Sequence, residues 1–212
     1  AQVGFALASH EADVVRICQL VDGTPLAIEL AAAWLRVLPI GQIAQEITTN
    51  LDLLTARHQN APPRQRSMRV VFEASWRLLP DAQRASLRRL AVCPGGFDTD
   101  AARQIADASL FDLAMLVEKS LLRADAAGRY TMHPLLRQFA LERLDARGET
   151  VDARHRHCVW YLDLLVDAAR RFTGSEQRAA LNRVDADFDN LEAAWLWAVE
   201  QEAWPDIHRA AP

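Results

Sequence analysis

"LLRADAAGRYTMHPLLRQFALERL", residues 121–144, decides the fold. Leu121 to Asp125 and Arg129 to His133 are two short β-like runs, and the Ala-Ala-Gly turn between them closes a hairpin. Pro134 then opens a leucine-rich helix that ends at Arg147-Gly148, because proline is favoured at the first helical position and glycine just past the last. Helices that lead into such a hairpin describe a winged helix, with the hairpin as its wing. His133 stands where the second run meets the helix. A histidine at such a junction is a candidate ligand, catalyst or cap.

Upstream of the hairpin the chain reads as helices in tandem. "SLFDLAMLVEKSLL" (109–122) begins with Ser109 and Asp112 in capping-box spacing. Before it come a short helix in "DTDAARQIAD" (98–107), a turn at Pro94-Gly95-Gly96, and two further helices in "PDAQRASLRRLAVC" (80–93) and "SMRVVFEASWRLL" (67–79). The paired prolines of "RHQNAPPRQR" (57–66) mark the clearest boundary in the sequence. Beyond it, the apolar spacing of Val14, Ile17, Cys18 and Val21 makes residues 11–22 an amphipathic helix that stops at Asp22-Gly23. Thr24-Pro25 starts the next, "PLAIELAAAWLRVL" (25–38). It holds only Glu29 before Arg36 and is expected to be buried almost all round. A further helix covers about 40–55. Downstream of residue 150, "RHRHCVWYLDLLVDAARRF" (154–172) and "SEQRAALNRVDADFDNLEAAWLWAVEQ" (175–201) are two more amphipathic helical segments, with no strand between them, like the start of a helical array. The fold class is therefore mainly α, with a small hairpin wing.

Composition narrows the function. Half of the 212 residues are hydrophobic, enough for a sizeable core, and 24 basic against 28 acidic residues give a net charge of -4 without the basic excess of a nucleic-acid binder. Cys18, Cys93 and Cys158 are far apart and suggest no disulfide framework, which fits a reducing, cytoplasmic setting. No apolar run approaches the ~20 residues needed to span a bilayer. The start has neither an initiator Met nor a signal peptide, so the chain reads as a piece of something larger.

No phosphate loop, dinucleotide fingerprint or nucleophile elbow is present, so no catalytic residue is assigned. "RHRHC" brings only His155 and Cys158 onto one helical face, short of a zinc set, and reads as a solvated face. "DADFDN" imitates a calcium loop through Asp185, Asp187 and Asp189 but has Asn190 at the turn position and Leu196 where a bidentate Glu is needed. These carboxylates read as helix caps and surface groups, and no metal site is assigned. Residues 64–92 carry seven arginines against Glu73 and Asp81, a local basic stretch inside the winged helix. The helix before the wing is the one that normally enters the major groove, yet it offers Asp112 and Glu118 against a single Lys119. Direct DNA readout by this module is therefore not expected.

Taken in order, "DGTPLAIELAAAWLR", "LRRLAVCPGGFDTDAA", "LVEKSLL" and "YTMHPLLRQFALERL" make the chain resemble the STAND signalling NTPases, above all the bacterial NB-ARC-type regulators with a helical repeat sensor. The resemblance covers nearly the whole chain. It implies an ARC-type helical subdomain (1–62), a winged-helix domain (63–148) and the start of a TPR-like region (149–212). It also implies a phosphate loop and Walker B segment upstream, ADP or ATP with Mg as the ligand of the longer protein, and a downstream helical sensor. Activation would permit assembly into a homo-oligomer. In such proteins the proline of the GxP motif lies against the base and the histidine of the MHD motif reaches the β-phosphate of ADP; those positions are Pro25 and His133 here. Gly23-Thr24-Pro25 also suffices as a plain helix connector, and His133 as a plain helix start. Pro134 departs from the motif, which has Asp there to orient the histidine.

Overall fold

The computed structural model describes residues 7–21, 23–57, 63–172 and 176–210. The chain forms two compact units: residues 1–80 with 118–121, and residues 81–117 with 122–212.

The first unit is built on α1 (Leu7–Leu20), α2 (Pro25–Ala33), a 3-10 turn (Trp34–Arg36), α3 (Ile40–Arg57) and α4 (Pro63–Arg77). α4, which follows the proline boundary, packs on α2 and α3. Residues 58–62 of that boundary lie outside the described residues. Gly23 takes the left-handed conformation expected of it, with φ +62°, and its N–H donates to the Cys18 carbonyl at 2.8 Å. The helix expected over 25–38 tightens at Trp34, because Pro39 disfavours helical geometry at Leu38 and the Trp34 indole turns inward to donate to Ser75 Oγ at 3.1 Å. Nor is it buried all round. Ala27, Leu30, Ala31 and Trp34 are buried, but Pro25, Glu29 and Ala32 are exposed. Lys119 is buried in this unit with its ammonium 5.3 Å from the centre of the Trp34 ring, a cation–π contact.

The second unit carries the hairpin. α5 (Asp81–Leu90), α6 (Thr99–Ala106) and α7 (Leu110–Glu118) precede a hairpin of β1 (Arg123–Ala124) and β2 (Tyr130–Thr131). The strands are shorter than the sequence suggests, pairing only Arg123 with Thr131 and Ala124 with Tyr130. The hairpin gains a third edge that the sequence did not reveal: Phe97 pairs antiparallel with Tyr130, making β2 central. Asp125 shapes the turn, its carboxylate accepting from the N–H groups of Ala127 and Arg129, both at 2.9 Å. The Ser109–Asp112 capping box forms reciprocally, each residue's backbone N–H donating to the other's side chain at 3.1 Å.

α8 (Pro134–Asp145), α9 (Thr150–Arg171), α10 (Gln177–Ala186), α11 (Phe188–Glu200) and α12 (Trp204–Ala210) complete the unit. α9 is its spine, with α6, α8, α10, α11 and α12 all packed on it. The long helix expected over 175–201 is broken at Asp187, whose φ of -110° leaves the helical region. Asp187 is simultaneously the last cap of α10 and the first of α11, its carbonyl accepting from Leu191 N–H at 2.9 Å.

Candidate functional site

The most developed polar site lies in the core of the second unit. Asp187 is 1% exposed, although the sequence places it among surface carboxylates. Burying a carboxylate is costly unless charge and hydrogen bonds compensate. Arg129, at the start of β2, donates to Asp187 Oδ1 at 2.8 Å and to the Gly95 carbonyl at 3.2 Å. Arg183 Nε lies 2.8 Å from Asp187 Oδ2, off the hydrogen-bonding line, while its Nη2 donates to Asp98 Oδ2 at 2.7 Å. Asp98 in turn caps α6 through Ala101 N–H at 2.8 Å. Asn190 is fully buried one turn into α11; its Nδ2 donates to the Gly96 carbonyl at 2.7 Å and its Oδ1 accepts weakly from Gly95 N–H at 3.4 Å.

His157 and Cys158 are buried as well, so "RHRHC" is not a solvated face. His155 alone of the three is exposed, tilted against Trp197. His157 Nε2 sits 3.4 Å from Asn190 Oδ1, and burial lowers its pKa to about 4 despite that hydrogen bond. Burial pushes the Cys93 thiol and the Tyr161 phenol well above their ordinary ranges. The Tyr161 hydroxyl, like Asp187 Oδ2, has no aligned hydrogen-bond partner. Among the described residues no group of three or more His, Cys, Asp or Glu is arranged to hold a metal ion.

His133 and Pro25, the two residues singled out by sequence, fall in different units. Each stands at a helix start, His133 as the N-cap of α8 and Pro25 at N1 of α2. His133 is the N-cap of α8: its Nδ1 accepts from Leu135 N–H at 3.2 Å, and Pro134 stands at N1. With Nδ1 an acceptor, the proton of the neutral ring is on Nε2. Partial burial and then the nearby Arg123 lower the pKa of the ring, which favours this neutral form. Pro25 is exposed at N1 of α2 after an extended Thr24 whose side chain makes no cap bond. The cavity of about 230 Å³ in the same unit, lined by Val14, Ile17, Cys18, Ile28, Ala31 and Leu35 among others, is apolar and offers nothing to a phosphate.

The side chains of Arg64 and Arg66 lie outside the described residues; the other arginines of the basic stretch are engaged in internal pairing. Arg88 and Arg89 both hold Glu149, at 2.7 and 3.2 Å, and the Arg88 hydrogen bonds are the first cause of a Glu149 pKa below its usual value. Arg89 and Arg156 share Asp107, Arg84 pairs with Asp81, and Arg69 and Arg77 are engaged too. α6 and α7 follow one another across the three-residue connection Asp107–Ser109, with Asp107 in the left-handed conformation. The outward side of α7 presents Leu110 (61% exposed), Phe111 (69% exposed), Ala114 and Glu118. None of these side chains donates to a base edge.

A signal for the buried cluster is nonetheless present in the sequence. Ala180, Asp187, Asn190, Leu191, Ala194 and Ala198 follow one helical stripe, so Asp187 and Asn190 interrupt an apolar face and do not lie on a polar one.

Comparison with known proteins gives relatives rather than a family. No established family profile and no solved structure matches the chain. It is 36% identical over 211 residues to a Mycobacterium tuberculosis protein provisionally named an HTH-type transcriptional regulator, the match covering 94% of this chain and 24% of that protein. A Mycobacterium bovis counterpart with the same provisional name gives the same figures. An uncharacterized Mycobacterium tuberculosis protein is 35% identical over 166 residues, 72% of this chain and 42% of its own length. The chain thus spans about a quarter of the length of the regulators it resembles.

Proposed function

We propose that this chain is a regulatory segment of a transcription regulator, and more narrowly the nucleotide-responsive coupling segment of a STAND-type switch. The regulator reading rests on the relatives' names. The narrower reading rests on one observation: His133 uses Nδ1 to cap α8 and thereby leaves an Nε2–H donor, on an exposed ring, held between β2 and a helix N-terminus. Such a donor suits a phosphate oxygen. Pro25 adds an exposed, rigid apolar face with no N–H of its own, suited to a flat base.

In this reading ADP or ATP with Mg is bound by a nucleotide domain elsewhere in the longer protein, and the segment clamps the ADP state without being an enzyme itself. The helices from α9 onward lead into a sensor that receives the signal, and release of the clamp lets copies assemble in the cytoplasm. Pro134 in place of the motif Asp leaves the ring oriented by its own cap bond alone.

His133→Ala is expected to weaken ADP binding to the full-length protein by about 1.5 to 3 kcal/mol, roughly 10- to 150-fold. It should also cost about 1 kcal/mol of stability for the lost cap. His133→Asp separates the two roles, since its carboxylate caps the helix but repels phosphate. Calorimetry with ADP and thermal unfolding on the same variants check this. Stability restored by Asp while affinity stays low is the expected pair of results, and unchanged ADP affinity in both variants would refute the phosphate contact.

The names of the relatives also favour a second reading, in which α6 and α7 act as a helix-turn-helix that reads DNA directly. The outward residues of α7 oppose it. A gel shift of residues 1–212 with duplex DNA at physiological salt is expected to show no preference over scrambled competitors. A preferred duplex would favour the DNA reading over the switch.

A further inference from the structure

We propose that the Asp187 carboxylate is a latch that couples the break between α10 and α11 to the position of the wing, so that the two segments open and close together. Three observations converge on it. Asp187 sits at the only point where α10 passes into α11, and it is 1% exposed. Its charge is met from outside its own helices by Arg129 at 2.8 Å, the residue that leads into β2. The same corner is closed a second time by Asn190, which grips the backbone of Gly95 and Gly96 next to Phe97, the residue that pairs with the other edge of β2. A shift of α10–α11 therefore withdraws support from both ends of the Phe97–Tyr130 pairing at once.

The chemistry is that of a latch rather than of a permanent fastener. A buried ion pair loses much of its attraction to the desolvation it suffers, so its net stabilisation is small while its geometric demand is strict. Here satisfaction is incomplete: Asp187 Oδ2 has Arg183 Nε close by but misaligned, and the Tyr161 hydroxyl has no hydrogen-bond partner. A half-satisfied polar core is favoured only while its few good bonds persist together, which makes its opening cooperative. β2 carries the consequence along the chain. Arg129 precedes it and His133 follows it closely, so the latch and the cap of α8 are joined by one short extended segment. The coupling itself stands on the geometry of the second unit and not on any nucleotide contact.

Native-state hydrogen exchange on the full-length protein, followed by mass spectrometry without added nucleotide, tests this separately from the proposed function. Asp187→Asn removes the charge and keeps the shape. It is expected to accelerate exchange at least 10-fold both in α10–α11 and at the paired amides of Phe97 and Tyr130, leaving α2–α4 unchanged. Arg129→Gln probes the same coupling from the wing, where the expected sign is faster exchange in the distant α10–α11. It also serves if the Asp187 variant does not fold. The double variant should exceed neither single by more than about twofold, since both remove one interaction. Acceleration confined to the mutated segment, in either single variant, would overturn the latch, as would single effects that multiply in the double.

Discussion

Gly96→Ala is expected to destabilise the second unit by roughly 3 to 4 kcal/mol, far more than an ordinary glycine substitution. Gly96 has φ +75°, where an L-residue pays about 1 to 2 kcal/mol. An added Cβ would stand 2.7 Å from the Tyr130 carbonyl oxygen, backbone that cannot step aside without loss. That oxygen accepts the Phe97 N–H at 3.0 Å, and the reciprocal bond from Tyr130 N–H is 2.8 Å. Displacing the strand weakens both, at about 1 kcal/mol each. The Gly96 carbonyl is also the acceptor for Asn190, so the damage reaches the buried polar core. Gly148→Ala is the control. It has a similar φ of +69° but nothing within 4 Å of the added atom, so it carries the conformational cost alone. Urea unfolding of the two variants should place them about 2 kcal/mol apart; equal losses would mean that the third strand edge does not constrain the wing.

Acidification should weaken the same core through His157. Burial lowers its pKa from the ordinary 6.5 to about 4, the bond to Asn190 and the more distant charges altering this only in part. In the unfolded chain the ring takes up its proton near pH 6.5, whereas in the folded chain it does so only near pH 4. Stability from this group is therefore complete above about pH 6.5 and is lost progressively as the pH falls towards 4, by roughly 3 kcal/mol. Carboxylates such as Glu149, held below the usual range by Arg88, lose their contribution at lower pH still. Unfolding free energies measured from pH 7 to pH 4.5 on the wild type and on His157→Gln should show a steeper fall in the wild type. Parallel curves would show that His157 takes up its proton at the same pH in the folded as in the unfolded chain, so that burial does not depress its pKa.

Much of the fold was legible from local signals. Gly23, the Ser109–Asp112 box, Pro134 and the turn before Arg129 each act within a few residues, and each is where the sequence puts it. What was not legible depends on distant partners. Phe97 becomes a strand edge only because Tyr130 lies beside it. Asp187 can be buried at a helix break because Arg129, far away in sequence, helps to meet its charge. Arg88 and Arg89 lose their apparent meaning for the same reason, since Glu149 and Asp107 meet them from beyond α5. His133 lay between these cases. Its cap bond to Leu135 is local and readable, while the proposed role toward phosphate has no local signature.

The most direct test of the switch reading is a calorimetric titration of ADP into the full-length protein and, in parallel, into residues 1–212 alone. Tight binding by the full-length protein and none by the segment, which has no phosphate loop of its own, is the expected result. A full-length protein that ignores ADP, or a segment that binds it at micromolar concentration unaided, would contradict it.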